Sequence, residues 1–146
     1  MTTIAEQRFP GVPESAAAAR RFVAGRVTET GLAHVAALVV DELACNAIRH
    51  SRSGWPGGTF TVCVEVAEAW LRIDVADQGG AGTPRVRQLS LDTDGGRGLS
   101  IVDALAAEWG VGSHRRGLLV WARCDGTRAP CGQPPAPTGA QVAVAP

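Results

Sequence analysis

The stretch VVDELACNAIRHS, residues 39–51, most constrains the fold, because one face of a helix begins apolar and turns polar without changing direction. At about 100° per residue, Asn46 lies about 40° from Glu42, Arg49 about 20° to the other side and His50 about 80° away, so the four share one arc. One and two turns earlier that arc carries Val35, Leu38 and Val39. The pattern predicts a helix from about Leu32 to His50 whose stripe packs into the core. An unpartnered neutral polar group buried there costs on the order of 1–3 kcal/mol, and a charge costs more. Something must satisfy Glu42 and Asn46, and a ligand pocket is one answer. Arg49 and His50 suit a structural role as cations at the negative end of the helix dipole.

A chain of 146 residues fits one domain, long enough to bury about two thirds of its unfolded surface without a disulfide scaffold. Acidic and basic residues number 14 each, so no basic field exists to capture nucleic acid or an anionic membrane. The longest apolar run falls far short of the roughly 20 residues of a membrane helix, and the N-terminus carries no signal-like segment. A cytoplasmic location is expected. Cys45, Cys63, Cys124 and Cys131 form no C-x-x-C pair, and read as three buried small hydrophobes and one tail thiol. All 14 basic residues are arginine. The absence of lysine removes the Walker A phosphate loop, the strand lysine of eukaryotic-type protein kinases and every Schiff-base mechanism.

Along the chain, TTIAEQRFPG alternates like a short edge strand. A helix is expected to start at Pro13 and Glu14 and to end at Gly31, and the helix containing Glu42 follows. SRSGWPGG breaks the chain before two strands, Thr59 to Val66 and Trp70 to Ala76, which read as a hairpin. In the second strand Leu71, Ile73 and Val75 alternate with Arg72, Asp74 and Ala76, which puts Asp77 on the dry face. From Gly79 to Gly96 glycine, proline, arginine and aspartate form a loop long enough to suggest a lid or binding loop. GRGLSIVDALAAEWG reads as a third helix, and two strands, Trp109 to His114 and Leu118 to Arg123, complete the domain. His34 and His114 are expected at the surface. The organisation is thus a domain over residues 1–125 and a proline-rich, disordered tail over 126–146.

Three polar insertions require one account: Glu42 with Asn46 on a helix, Asp77 before Gly79, Gly80 and Gly82, and GGRGLS opening the third helix. Glycines before a helix bring a phosphate against bare backbone, where the first N–H groups and the positive dipole end bind it. An asparagine oxygen is a hard neutral ligand for Mg²⁺. A carboxylate one turn away can take a proton from an attacking hydroxyl or water. A second carboxylate, Asp77, can accept from the exocyclic amine of adenine.

In DELACNAIRHS, DVADQGG and GGRGLSIV, and in their order, the sequence resembles the GHKL superfamily of ATP-binding domains, found in gyrase, mismatch-repair proteins and histidine kinases. It is most similar to the small stand-alone anti-sigma-factor serine kinases, over about residues 6–123. The resemblance implies an α+β fold, a two-layer α/β sandwich of the Bergerat type: a mixed sheet of roughly five strands, helices on one face, nucleotide between them. It implies ATP and Mg²⁺ as cofactors. Glu42 becomes the general base, Asn46 the Mg²⁺ ligand, Asp77 the adenine reader, and Gly79, Gly96 and Gly98 the glycines of close approach. Arg97 and the amides around Gly98 and Leu99 would steady the γ-phosphate. Leu119 stands where relatives often place a threonine near the adenine, and Ala81 interrupts the usual Asp-x-Gly-x-Gly spacing. The implied activity is phosphorylation of a serine or threonine in a protein antagonist, with a sigma factor or an anti-anti-sigma factor as partner. Homodimers are common among such relatives, and neither nucleic acid nor membrane is expected as a direct partner. Two alternatives are a non-catalytic, nucleotide-gated binding module and a detached histidine-kinase catalytic domain.

Overall fold

Alternation builds the sheet. In the computed structural model, which describes residues 2–27, 31–80, 97–115, 117–126 and 141–142, the elements run β1 (Thr3–Pro10), α1 (Glu14–Ala24), α2 (Ala33–His50), a 3₁₀ turn (Arg52–Gly54), β2 (Thr59–Val66), β3 (Leu71–Ala76), α3 (Arg97–Leu105), β4 (Glu108–His114), β5 (Gly117–Cys124) and β6 (Gln141–Val142). The strand order is β1-β2-β3-β5-β4-β6. Strands β1 to β5 pair antiparallel, and the two residues of β6 join β4 in parallel, making the sheet mixed.

Every second residue of β2, β3 and β5 is buried: Phe60, Val62 and Val64, then Leu71, Ile73 and Val75, then Leu118, Val120 and Ala122. That face receives Val39, Val40, Leu43, Ala44 and Ala47 of α2 and Leu99 and Val102 of α3 in one core. Burying each Val, Leu or Ile side chain contributes about 1.5–3 kcal/mol, which is what holds three helices to one side of the sheet. Phe9 of β1 stacks on Phe60 at 5.6 Å and meets Phe22 of α1 edge-on at 5.9 Å, tying the first helix to the edge strand. Trp109 of β4 donates through Nε1 to Asp103 Oδ1 at 2.8 Å, a buried bond that fixes the end of α3 against the sheet.

Several expectations shift. Helix α1 ends at Ala24 rather than Gly31: the Gly25 and Arg26 amides close its last turn on Arg21 and Val23, and Val27 is buried in the core. The buried stripe of α2 takes in Val35, Ala36, Val39, Val40, Leu43, Ala44, Asn46 and Ala47, centred roughly 100° round from Glu42. Val35, Val39 and Asn46 of the expected arc are buried at one edge of that stripe, whereas Leu38 is 36% exposed, Glu42 is half-buried and Arg49 and His50 are exposed. Cys45 and Cys63 are half-buried and Cys124 is buried, so one thiol among those three is a core hydrophobe. The tail expected to be disordered contributes β6, and the rest of that expectation lies outside the described residues. No described helix is long and apolar enough to cross a membrane.

Candidate functional site

Period two carries Leu71, Ile73 and Val75 onto the helix-covered face, and the next residue of that parity is Asp77, only 7% exposed. Its Oδ1 accepts from the Gly79 amide at 2.7 Å and the Leu118 amide at 3.0 Å, and its own N–H donates to the Leu118 carbonyl at 2.9 Å. Gly79 makes this turn with φ at 77°, a conformation that costs residues with a Cβ. Gly117 is required by proximity: a Cβ there would sit 2.0 Å from the Asp77 carbonyl oxygen.

The same corner is stitched to the end of α2. The Ser51 hydroxyl donates to the Ala47 carbonyl at 2.7 Å and accepts from the Ser53 amide at 3.0 Å. Ser53 Oγ accepts from the Gln78 amide at 3.0 Å, and the Arg52 amide donates to the Gly79 carbonyl at 2.6 Å. Both serines are buried. These bonds fix the carboxylate at the end of β3 relative to the C-terminal turns of α2, where Asn46 and Glu42 lie.

Asn46 is 7% exposed and its side-chain amide has no hydrogen-bond partner among the described residues. No described side-chain nitrogen or oxygen is both fully enclosed and unsatisfied. One turn earlier, half-buried Glu42 lies on the rim. Burial pushes its carboxyl above the ordinary glutamate range, the neighbouring Asp41 charge adds to the rise, and Arg49 opposes it. Arg20 of α1 pairs with Asp41. The described residues hold no group of three His, Cys, Asp or Glu suited to a metal.

Asp77 thus lies at the end of β3 with its parity on the helix-covered face, while Asn46 is buried and Glu42 half-buried on α2. Arg97 and Gly98 open α3, whose first turn has no acidic residue to oppose an anion. The Leu99 side chain is spent in the core, so only its backbone can serve a ligand. Gly96 and Ala81 lie outside the described residues. Leu119 is corrected: it pairs with Ala76 and points to the helix-free face, and its neighbours Leu118 and Val120 carry the parity that faces the helices. Sequence reasoning missed Ser51, Ser53, Gly117 and the Leu118 amide. The serines after α2 and the lone glycine before β5 were the available signals, but the contact between residues 77 and 118 is visible only once β3 and β5 are paired.

Residues 9–124 match a family model described as a histidine kinase-like ATPase domain. No curated protein matches the chain.

Proposed function

This chain belongs to the histidine kinase-like ATPase family, and on that premise we propose that it is a regulator that binds ATP with Mg²⁺ and phosphorylates a serine or threonine of a protein antagonist, as anti-sigma-factor kinases do. The observation that carries this reading is Asn46, a buried amide without a partner among the described residues, one turn from the rim carboxylate of Glu42. A buried amide left unpaired costs on the order of 1–3 kcal/mol unless a ligand completes it.

Each residue has a physical task. Asp77, held by the Gly79 and Leu118 amides among other contacts, accepts from the exocyclic amine of adenine. The amide oxygen of Asn46 is a ligand for Mg²⁺, whose charge would offset that gathering on the phosphoryl oxygens in transfer. The first N–H groups of α3, at Arg97 and Gly98, are donors of the kind that bind phosphate. Glu42 accepts the proton of the attacking hydroxyl, and its raised pKa makes it a stronger base than an ordinary glutamate.

Incubation with γ-labelled ATP, Mg²⁺ and a candidate antagonist protein tests the reading. Label on a serine or threonine of the antagonist is the expected result. Tight nucleotide binding without transfer to any antagonist that the protein also binds would make it a non-catalytic, nucleotide-gated module.

A further inference from the structure

The face of the sheet that carries no helix is organised by charge. Cross-strand register lines up Glu6, Cys63, Asp74 and Trp121 in one row, and Arg8, Thr61, Ala76 and Leu119 in the next, two residues along the strands and so about 7 Å away. Over these rows lies a groove of about 900 Å³. Its walls include Arg52 from the 3₁₀ turn and Arg115 from the β4–β5 hairpin, so that three arginines from separate parts of the chain meet Thr59, Thr61 and Gln78 at one end. Arg8, Arg52 and Arg115 are exposed, and none makes an ion pair with a described residue. Arg115 holds φ at 54°, uncommon for a residue with a side chain. At the other end stand Glu6 and Asp74, the latter holding Arg72 at 2.7 Å.

This polarity sorts the occupants. A nucleic acid or an anionic lipid surface would press phosphates onto Glu6 and Asp74. A small-molecule site is usually mostly apolar, whereas Leu119 and Ala76 are the only aliphatic side chains in this lining. The same scarcity argues against a second copy, since homodimer interfaces have an apolar centre. Mixed-sign, polar contact surfaces belong to transient protein partners.

We propose that the helix-free face is a docking groove for an extended, mixed-charge segment of a partner protein, with carboxylates seated on Arg8, Arg52 and Arg115 and basic side chains beside Glu6 and Asp74. The groove lies on the face of the sheet that carries no helix and reaches Asp77 and Gly117 at its arginine end, but it rests on cross-strand charges and not on Asn46 or Glu42, so it stands whether or not the nucleotide reading holds.

The test uses a fluorescein-labelled peptide of alternating aspartate and lysine separated by serines, with oligo-aspartate, oligo-lysine and a single-stranded oligonucleotide as comparisons. The mixed peptide should bind best, and Arg8→Glu and Glu6→Arg should each weaken it about tenfold, because a reversed charge replaces attraction with repulsion. Both residues are exposed on an edge strand, so the variants should fold, which circular dichroism checks. Bound peptide should shield Cys63, on the groove floor, from alkylation while leaving Cys45 of α2 as reactive as before. Equal binding by either variant, preference for oligo-aspartate or the oligonucleotide, or unchanged alkylation of Cys63 would overturn the proposal. So would a concentration-dependent dimer that Arg8→Glu dissociates, for then a second copy fills the groove.

Discussion

At the end of β3, Asp77 is gripped by two backbone amides on one oxygen, whereas on α2 the equally buried Asn46 has no hydrogen-bond partner among the described residues. The fold treats the two side chains in opposite ways. Folding alone orients the carboxylate, through a left-handed glycine, a glycine without room for a Cβ and a pair of serines that reach back to α2. Among the described residues, no hydrogen bond holds the amide beyond the helix that carries it. A fixed group suits recognition of a rigid, planar base, while one completed by its ligand suits a metal that arrives on phosphates. Glu42, on the rim beside Asn46, belongs to this second kind of region.

The largest effect should come from the rim. Removing a general base typically costs about 10² to 10⁴ in rate, so Glu42→Gln should transfer no detectable phosphate in a labelled-ATP assay while binding nucleotide almost as the parent does. Parental transfer by that variant would reduce Glu42 to a structural acid.

Next comes the preset region. Asp77→Asn keeps an oxygen for the Gly79 and Leu118 amides but loses the charge, so adenine should be held about 1.5–3 kcal/mol less tightly, roughly ten- to a hundredfold in Kd by calorimetry. GTP should then compete better than it does with the parent. An unchanged ATP affinity would show that the β3 corner is built for the fold alone.

Stability separates the two regions more finely. Gly117→Ala drives a Cβ into the Asp77 backbone and should lower the urea unfolding midpoint by the equivalent of about 1–3 kcal/mol. Asn46→Ala, which breaks no bond to a described residue, should leave that midpoint nearly unmoved. Equal losses at both positions would erase the contrast.

The smallest effects concern pH. Because burial and Asp41 raise the Glu42 pKa, the acid limb of the transfer rate should lie at higher pH than for an ordinary glutamate. Arg49→Ala removes the opposing charge and should move that limb further up. The sign for stability follows from the same shift: the folded chain holds the Glu42 proton more tightly than the unfolded chain. Stability is therefore lost as pH rises from the ordinary glutamate value of 4.5 through the raised one. Glu42→Gln should gain on the parent above that window and match it below.

The strands were legible because one dry face forces strict alternation, which placed β2 and β3 within a residue and put Asp77 correctly inside. Helix boundaries were less so. Nothing local to residues 25–31 shows that Val27 would leave the helix for the core. Helical periodicity gave the arc shared by Glu42 and Asn46 but not its position relative to the buried stripe. That is set by which sides α1, α3 and the sheet cover, and it left Val35, Val39 and Asn46 of the expected core arc inside while Leu38, Arg49 and His50 face out. Leu119 was misplaced by one residue of parity, enough to move a side chain to the opposite face of a strand.

The most direct test of the account is an ATP titration, with and without Mg²⁺, of the parent and of Asn46→Ala. Mg²⁺ should tighten binding to the parent and add nothing in the variant. Equal affinity in the parent with and without Mg²⁺ would contradict it.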